Sequence, residues 1–187
     1  MRTLIKRFSI LAAVSMAMIL CCTPSISLAV GFETAPRFNY VESSRLDEDS
    51  ELLFSITQEG LPITSSEMRP YACSSKAIAT VKAYKQSRNS KSYIDLFITL
   101  SAPAGTCVRI KGVTDGEYRS EDLTSGSLAY TESFHGSQTV PSTVYSLWVD
   151  GTLPVAPFHS YSVSWGFKSW LYNGVESYYY GSQDIYS

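Results

Sequence analysis

The stretch Tyr93–Leu100 constrains this chain more than any other. It reads Tyr-Ile-Asp-Leu-Phe-Ile-Thr-Leu, so Ile94, Leu96, Ile98 and Leu100 fall on one face and Tyr93, Asp95, Phe97 and Thr99 on the other. A period of two marks a strand with one face in a core, because successive side chains of a pleated backbone point to opposite sides. A helix would scatter the same four aliphatic residues around its circumference. Cys73 and Cys107 bracket this strand.

Met1–Ala29 reads as a secretory signal peptide. Arg2, Lys6 and Arg7 form a basic start, Phe8–Leu20 is an apolar run of 13 residues, and Ser27-Leu28-Ala29 puts small residues where a signal peptidase cuts. The run is short for a membrane span, and Thr23-Pro24-Ser25 ends it, against an uncleaved anchor. Lipidation of Cys21 or Cys22 would want a small residue just ahead, where Met18-Ile19-Leu20 stands instead. The expectation is cleavage after Ala29 and a secreted or surface-associated protein with no membrane span left. A polar lead over residues 30–50 would precede one domain over residues 51–187. This layout resembles that of many small secreted or surface bacterial proteins, and no family motif stands out.

The chain has 15 Lys and Arg against 17 Asp and Glu; three of the basic residues belong to the signal, leaving 12 against 17, a net charge of −5. A mildly acidic surface argues against nucleic acid as a partner, because phosphate binding needs basic patches. Of four cysteines, Cys21 and Cys22 leave with the signal. In an oxidising compartment the remaining pair, Cys73 and Cys107, is expected to form a disulfide worth about 3–4 kcal/mol by loop closure. Two cysteines with no His pair at ligand spacing do not make a metal site. The acidic run Arg45–Glu51 lacks the glycine a calcium loop requires and reads as a solvated linker. No cofactor is expected.

The 13 tyrosines and abundant Ser and Thr suit pleated, half-buried surfaces. Strands are expected at Leu52–Gln58, Lys76–Tyr84, Cys107–Lys111, Leu128–Thr131 and Val144–Val149. The small residues Ala77, Ala79 and Ala83 point to close approach of an opposing sheet. Gln86–Lys91 and Asp115-Gly116 read as hairpin turns, and Ser133–Ser142 as an exposed loop. Ser160–Tyr172 and Val175–Tyr186 flank Asn173-Gly174, the strongest short-range hairpin signal. Tyr161, Val163, Trp165 and Phe167 share one face, and a bulge is expected near Gly166 or Ser169. Eight to ten short strands without an amphipathic helix predict an all-β fold: an antiparallel β-sandwich, immunoglobulin-like or jelly-roll.

Catalytic residues are not identifiable from the sequence. His135 and His159 read as loop residues, and no Gly-x-Ser-x-Gly occurs. Glycoside hydrolysis needs two carboxylates about the scissile bond. Asp95, Glu132, Asp150, Glu176 and Asp184 are the acids in or beside strands, and Asp95 stands out by its place in the central strand. Binding has the better physical case. Trp148, Trp165, Trp170 and Tyr178–Tyr180 supply rings for apolar sugar faces, and Gln183 and Asp184 supply polar partners. Trp170 and Tyr179 are the expected ligand-binding residues, since they oppose the face set by Val163 and Trp165. The expected role is binding of a glycan or a protein at the cell surface. The alternatives are a small secreted hydrolase of carbohydrate, and a structural or inhibitory protein that pairs through an edge strand.

Overall fold

The aliphatic face of the central strand is the floor of the observed core. In a computed structural model that describes residues 42–63, 76–104, 106–127, 130–172 and 174–187, this strand spans Lys91–Ser101, and Ile94, Leu96, Ile98 and Leu100 are buried. Ten strands occur among the described residues: β1 (Glu51–Glu59), β2 (Leu61–Pro62), β3 (Ile78–Arg88), β4 (Lys91–Ser101), β5 (Ile110–Asp122), β6 (Tyr130–Ser142), β7 (Val144–Val149), β8 (Pro154–Val155), β9 (Ser160–Leu171) and β10 (Ser177–Tyr186). They form two antiparallel sheets packed face to face, an all-β sandwich. Sheet one has the order β1-β3-β4-β7 with β8 also on β4; sheet two has the order β2-β10-β9-β5-β6.

The β3–β4 hairpin turns on Asn89 and Ser90, both with positive φ (51° and 60°), as a two-residue turn between right-twisting strands requires. The expected turn over Gln86–Lys91 is therefore shorter. Gln86, Ser87 and Arg88 continue the ladder opposite Tyr93, Ser92 and Lys91, and the basic residues of this end belong to strands. Ala77, Ala79, Val81 and Ala83 line the inner face, leaving room for large rings from sheet two. Tyr179 Oη donates to the Ala77 carbonyl at 2.6 Å, and Tyr118 Oη to the Ile94 carbonyl at 2.8 Å. These two phenols tie sheet two to the backbone of sheet one, each bond adding about 1 kcal/mol net.

β9 supplies the opposing wall. Tyr161, Val163, Trp165, Phe167 and Leu171 point inward along an unbroken alternation. The expected bulge near Gly166 or Ser169 is not in β9; the register shifts sit in its neighbour β5, between Ile110 and Gly112 and between Thr114 and Glu117. Asp115-Gly116 is part of the second irregularity, where an expected hairpin turn becomes a mid-strand bulge with Asp115 at φ 48°. A left-handed residue serves either purpose. Here the chain goes on as a strand, because Tyr118, Ser120 and Asp122 continue to face inward.

Ser133–Ser142, expected as a loop, lies within β6. Its polar composition hides an inward alternation of Phe134, Gly136 and Gln138, with Gln138 Nε2 bonded to the Ile110 carbonyl at 2.7 Å. β6 is an edge of sheet two, where Pro141 is tolerated. The lead segment also departs from expectation. Residues 42–50 are not a solvated linker but lie across the outer face of sheet one, with Leu46 packed on Tyr84, Phe97 and Trp148. The signal segment and Cys73 fall outside the described residues; Cys107, just before β5, is not a free thiol.

Candidate functional site

Asp95, the acid singled out in the central strand, sits on the outer face of sheet one with its side chain 1% exposed. Gly151 N donates to its Oδ1 at 2.6 Å and Trp148 Nε1 to its Oδ2 at 3.1 Å, while the Arg88 guanidinium pairs with Oδ2. Burial raises the Asp95 pKa, against the opposing pull of Gly151 N–H, Arg88 and Trp148. Arg88 also reaches Asp150 Oδ1 at 3.4 Å, so one guanidinium joins two carboxylates. The arrangement has the composition of an acid pair but not its access. A general acid must reach a substrate oxygen, and Asp95 spends its acceptors on β7, β8's approach and the end of β3. It is a positioning group for the fold. Only glycine fits at 151, since a Cβ there would lie 1.8 Å from the Ile94 carbonyl oxygen.

His159 and Asp122 form a second titratable pair at one end of sheet two, Nδ1 to Oδ2 at 2.7 Å. Asp122 Oδ1 accepts from Thr124 N at 2.9 Å and Ser125 N at 3.0 Å, closing the turn after β5. Burial works against the charged carboxyl, but the N–H of Ser125, the His159 ring and the N–H of Thr124 outweigh it and hold its pKa well below the usual range. The pair fastens the turn after β5 to the start of β9. His135 is exposed on the outer face of β6.

Among the described residues, the outer face of sheet two carries a row of exposed aromatic rings. Tyr178 and Tyr180 project from β10 with stacked rings, centroids 5.7 Å apart, and Tyr180 is 59% exposed. Trp170 on β9 and Tyr172 just after it are 38% and 69% exposed, with Lys111 Nζ over both rings at 5.1 and 5.8 Å. Ser162, Ser164 and Gly166 continue this face of β9 with small residues. Glu117, Arg119, Ser164, Trp165, Gly166 and Tyr178 line a furrow of about 160 Å³ there. That is below the roughly 300–1,000 Å³ of pockets that enclose a small molecule, so a ligand would lie across the face. Two ion pairs lie on the face, Lys168 Nζ with Asp115 Oδ2 at 2.5 Å and Arg119 with Glu121 at 3.5 Å, and Glu117 lines the furrow.

Of the two residues expected to bind, Trp170 lies on this face and Tyr179 does not. Tyr179 is 1% exposed, stacked on Phe167 at 5.1 Å in the core. The reason is register. A two-residue turn at Asn173-Gly174 would set Tyr179 opposite Lys168, but the ladder pairs Lys168 with Tyr178. The connection is one residue longer, and a slip of one reverses every side chain of the strand. Tyr178 and Tyr180 therefore take the outer places, with Tyr172 beside Trp170. Trp148 and Trp165 are core residues. Asp184 and Gln183 are exposed on the far half of β10, Glu176 precedes that strand, and Glu132 accepts from Tyr130 Oη at 3.1 Å.

No protein-family model matches the chain, and no curated protein and no solved structure is significantly similar to it. Among the described residues no helix is long and apolar enough to cross a membrane, and no three His, Cys, Asp or Glu side chains converge as a metal ion would require.

Two predictions test these assignments. Asp95→Ala strands Trp148 Nε1 and Gly151 N and should cost about 3 kcal/mol in denaturant unfolding, the low end for a broken buried pair because Arg88 can return to water. Asp150→Asn should cost under about 1 kcal/mol. Equal losses would deny Asp95 its special place. For Asp122, the unfolded carboxyl binds its proton at higher pH than the folded one. The stability it contributes is complete above the ordinary aspartate pKa of about 3.9 and is lost as the pH falls towards the folded value. The gap in unfolding midpoint between the unaltered chain and Asp122→Asn should narrow from about pH 6 to about pH 2; a constant gap would contradict the assignment.

Proposed function

We propose that this protein is a secreted or surface-associated binding protein that takes a glycan on the outer face of sheet two. The observation that carries the reading is the exposed row of Tyr178, Tyr180, Trp170 and Tyr172 beside a furrow floored by Ser164 and Gly166. Aromatic rings offer flat apolar surface at low entropic cost, and hydroxyls beside them bond the equatorial groups of a sugar. The equivalent face of sheet one also carries rings, but residues 42–50 cover them. Sheet one exposes single aliphatic side chains, Leu52 and Val144, whereas sheet two exposes a row of rings, and a contiguous exposed row of that kind is best accounted for by a ligand.

The test is a screen of the purified protein against a glycan array and cell-wall polymers. Trp170→Ala and Tyr180→Ala should each weaken binding about tenfold, about 1.4 kcal/mol. Gly166→Ser should weaken it while leaving the chain folded, because an added Cβ meets Oη at the far end of the Tyr178 side chain at 2.6 Å and displaces that ring from the furrow. Tyr179→Ala, by contrast, should unfold the core, with a loss of about 3–5 kcal/mol. Absence of binding across the panel, or binding indifferent to all three surface substitutions, would overturn the reading and direct attention to protein partners.

The expected Cys73–Cys107 disulfide belongs to the same proposal, since it requires an oxidising compartment. Peptide mapping of the exported protein without reductant should return the two cysteines joined. Recovery of both as free thiols would remove both the bridge and the compartment inferred from it.

A further inference from the structure

Residues 42–50 are held on the outer face of sheet one in the manner of a bound peptide. Two backbone hydrogen bonds of the segment are internal, Arg45 N to Glu42 O at 3.3 Å and Ser50 N to Asp47 O at 3.0 Å. The contacts to the sheet run through side chains. Lys82 Nζ donates to both Glu42 oxygens at 2.8 and 3.0 Å, and Tyr84 Oη donates to the same carboxylate. Arg45 reaches Asp150 Oδ1 at 3.1 Å, and the Arg45 carbonyl accepts from Gln86 Nε2 at 3.2 Å. Leu46 rests on Tyr84, Phe97 and Trp148. Ser50 Oγ donates to Gln86 Oε1 at 2.7 Å.

The strands beneath this segment pair with one another independently of it. β3, β4 and β7 are paired with one another along their ladders, and Asp95 holds Trp148, Gly151 and Arg88 in place from below. The ion pairs that fasten the segment are part-exposed, with side chains 25–32% accessible, and pairs of that kind are weak. Three receptor positions result, each of defined chemistry: an ammonium with a phenol for a carboxylate, the Asp150 carboxylate for a guanidinium, and an aromatic trio for an aliphatic side chain.

We propose that the outer face of sheet one is a peptide-docking groove, selective for a carboxylate followed three residues later by Arg-Leu, and that residues 42–50 are its resident, displaceable occupant. The ligand class is a protein segment of that pattern supplied by a partner. The complementarity of the groove to Glu42, Arg45 and Leu46 defines it, while the three acids Asp47-Glu48-Asp49 between Leu46 and β1 are exposed and take no part in it. This inference is independent of the glycan reading, which concerns the opposite sheet.

The test uses the full chain with its own segment weakened by Glu42→Gln and Leu46→Ala, and a fluorescent synthetic peptide of residues 42–50 with the natural sequence. Anisotropy should show the peptide binding the weakened chain at least tenfold more tightly than the unaltered chain, whose groove is filled. Adding Lys82→Met to the weakened chain should remove at least tenfold of that affinity. Equal binding to weakened and unaltered chains, or no binding to a weakened chain whose circular dichroism is unchanged, would overturn the proposal. Loss of the fold in the weakened chain would overturn it too, because a segment the fold requires is not displaceable.

Discussion

A carboxyl group carried into a sheet demands donors, and the donors that Asp95 finds set the geometry of a whole face. Its oxygens collect the N–H of Gly151, the indole of Trp148 and the guanidinium of Arg88. The end of β3, the body of β7 and the turn that follows β7 are thereby fixed to β4. Trp148, so oriented, stacks with Tyr84 at 5.8 Å and meets Phe97 at a tilt at 5.6 Å, and that trio receives Leu46. The inner face of β4 needs no such device, because Ile94, Leu96, Ile98 and Leu100 are held by burial alone, worth about 1.5–3 kcal/mol each.

The two sheets solve the problem of their outer faces differently. Sheet one buries its outer rings beneath a piece of the same chain, using a few side-chain contacts and one aliphatic anchor. Sheet two leaves Trp170, Tyr172, Tyr178 and Tyr180 exposed, with Lys111 over two of the rings and the Lys168–Asp115 and Arg119–Glu121 pairs nearby. Tyr178 laid over Gly166 covers bare backbone, which accounts for one ring of the four structurally. The others have no such role, and the contrast with the covered sheet is what makes the open one the functional candidate.

Legibility in the sequence followed the strength of the alternation. β4, β7 and β9 were readable because aliphatic or aromatic residues recur at every second position. β6 was not, because its inward places hold Phe134, Gly136 and Gln138, and a glycine and a glutamine carry no hydrophobic signal. Asp115-Gly116 announced a left-handed backbone and was equally compatible with a turn or a bulge; only the pairing of β5 with both β6 and β9 decided for the bulge. Arg88 read as part of a basic hairpin tip, whereas the ladder carries it to the outer face and onto Asp95, a contact seven residues away that no local pattern encodes.

The candidate site shows where the boundary lies. The sequence by itself determined that the chain is β-rich, that Val163 and Trp165 share a buried face, and that Trp170 opposes them, because period two within one strand is a local property. It also placed three consecutive tyrosines near the C-terminal hairpin. Which of them meet water was decided only by the tertiary structure. The ladder set Tyr178 opposite Lys168, buried Tyr179 with its hydroxyl on Ala77 of the other sheet, and left Tyr180 outside. Parity between two strands depends on the length of the loop joining them and on the core contact that pins one ring. Neither is a property of the residues taken one strand at a time.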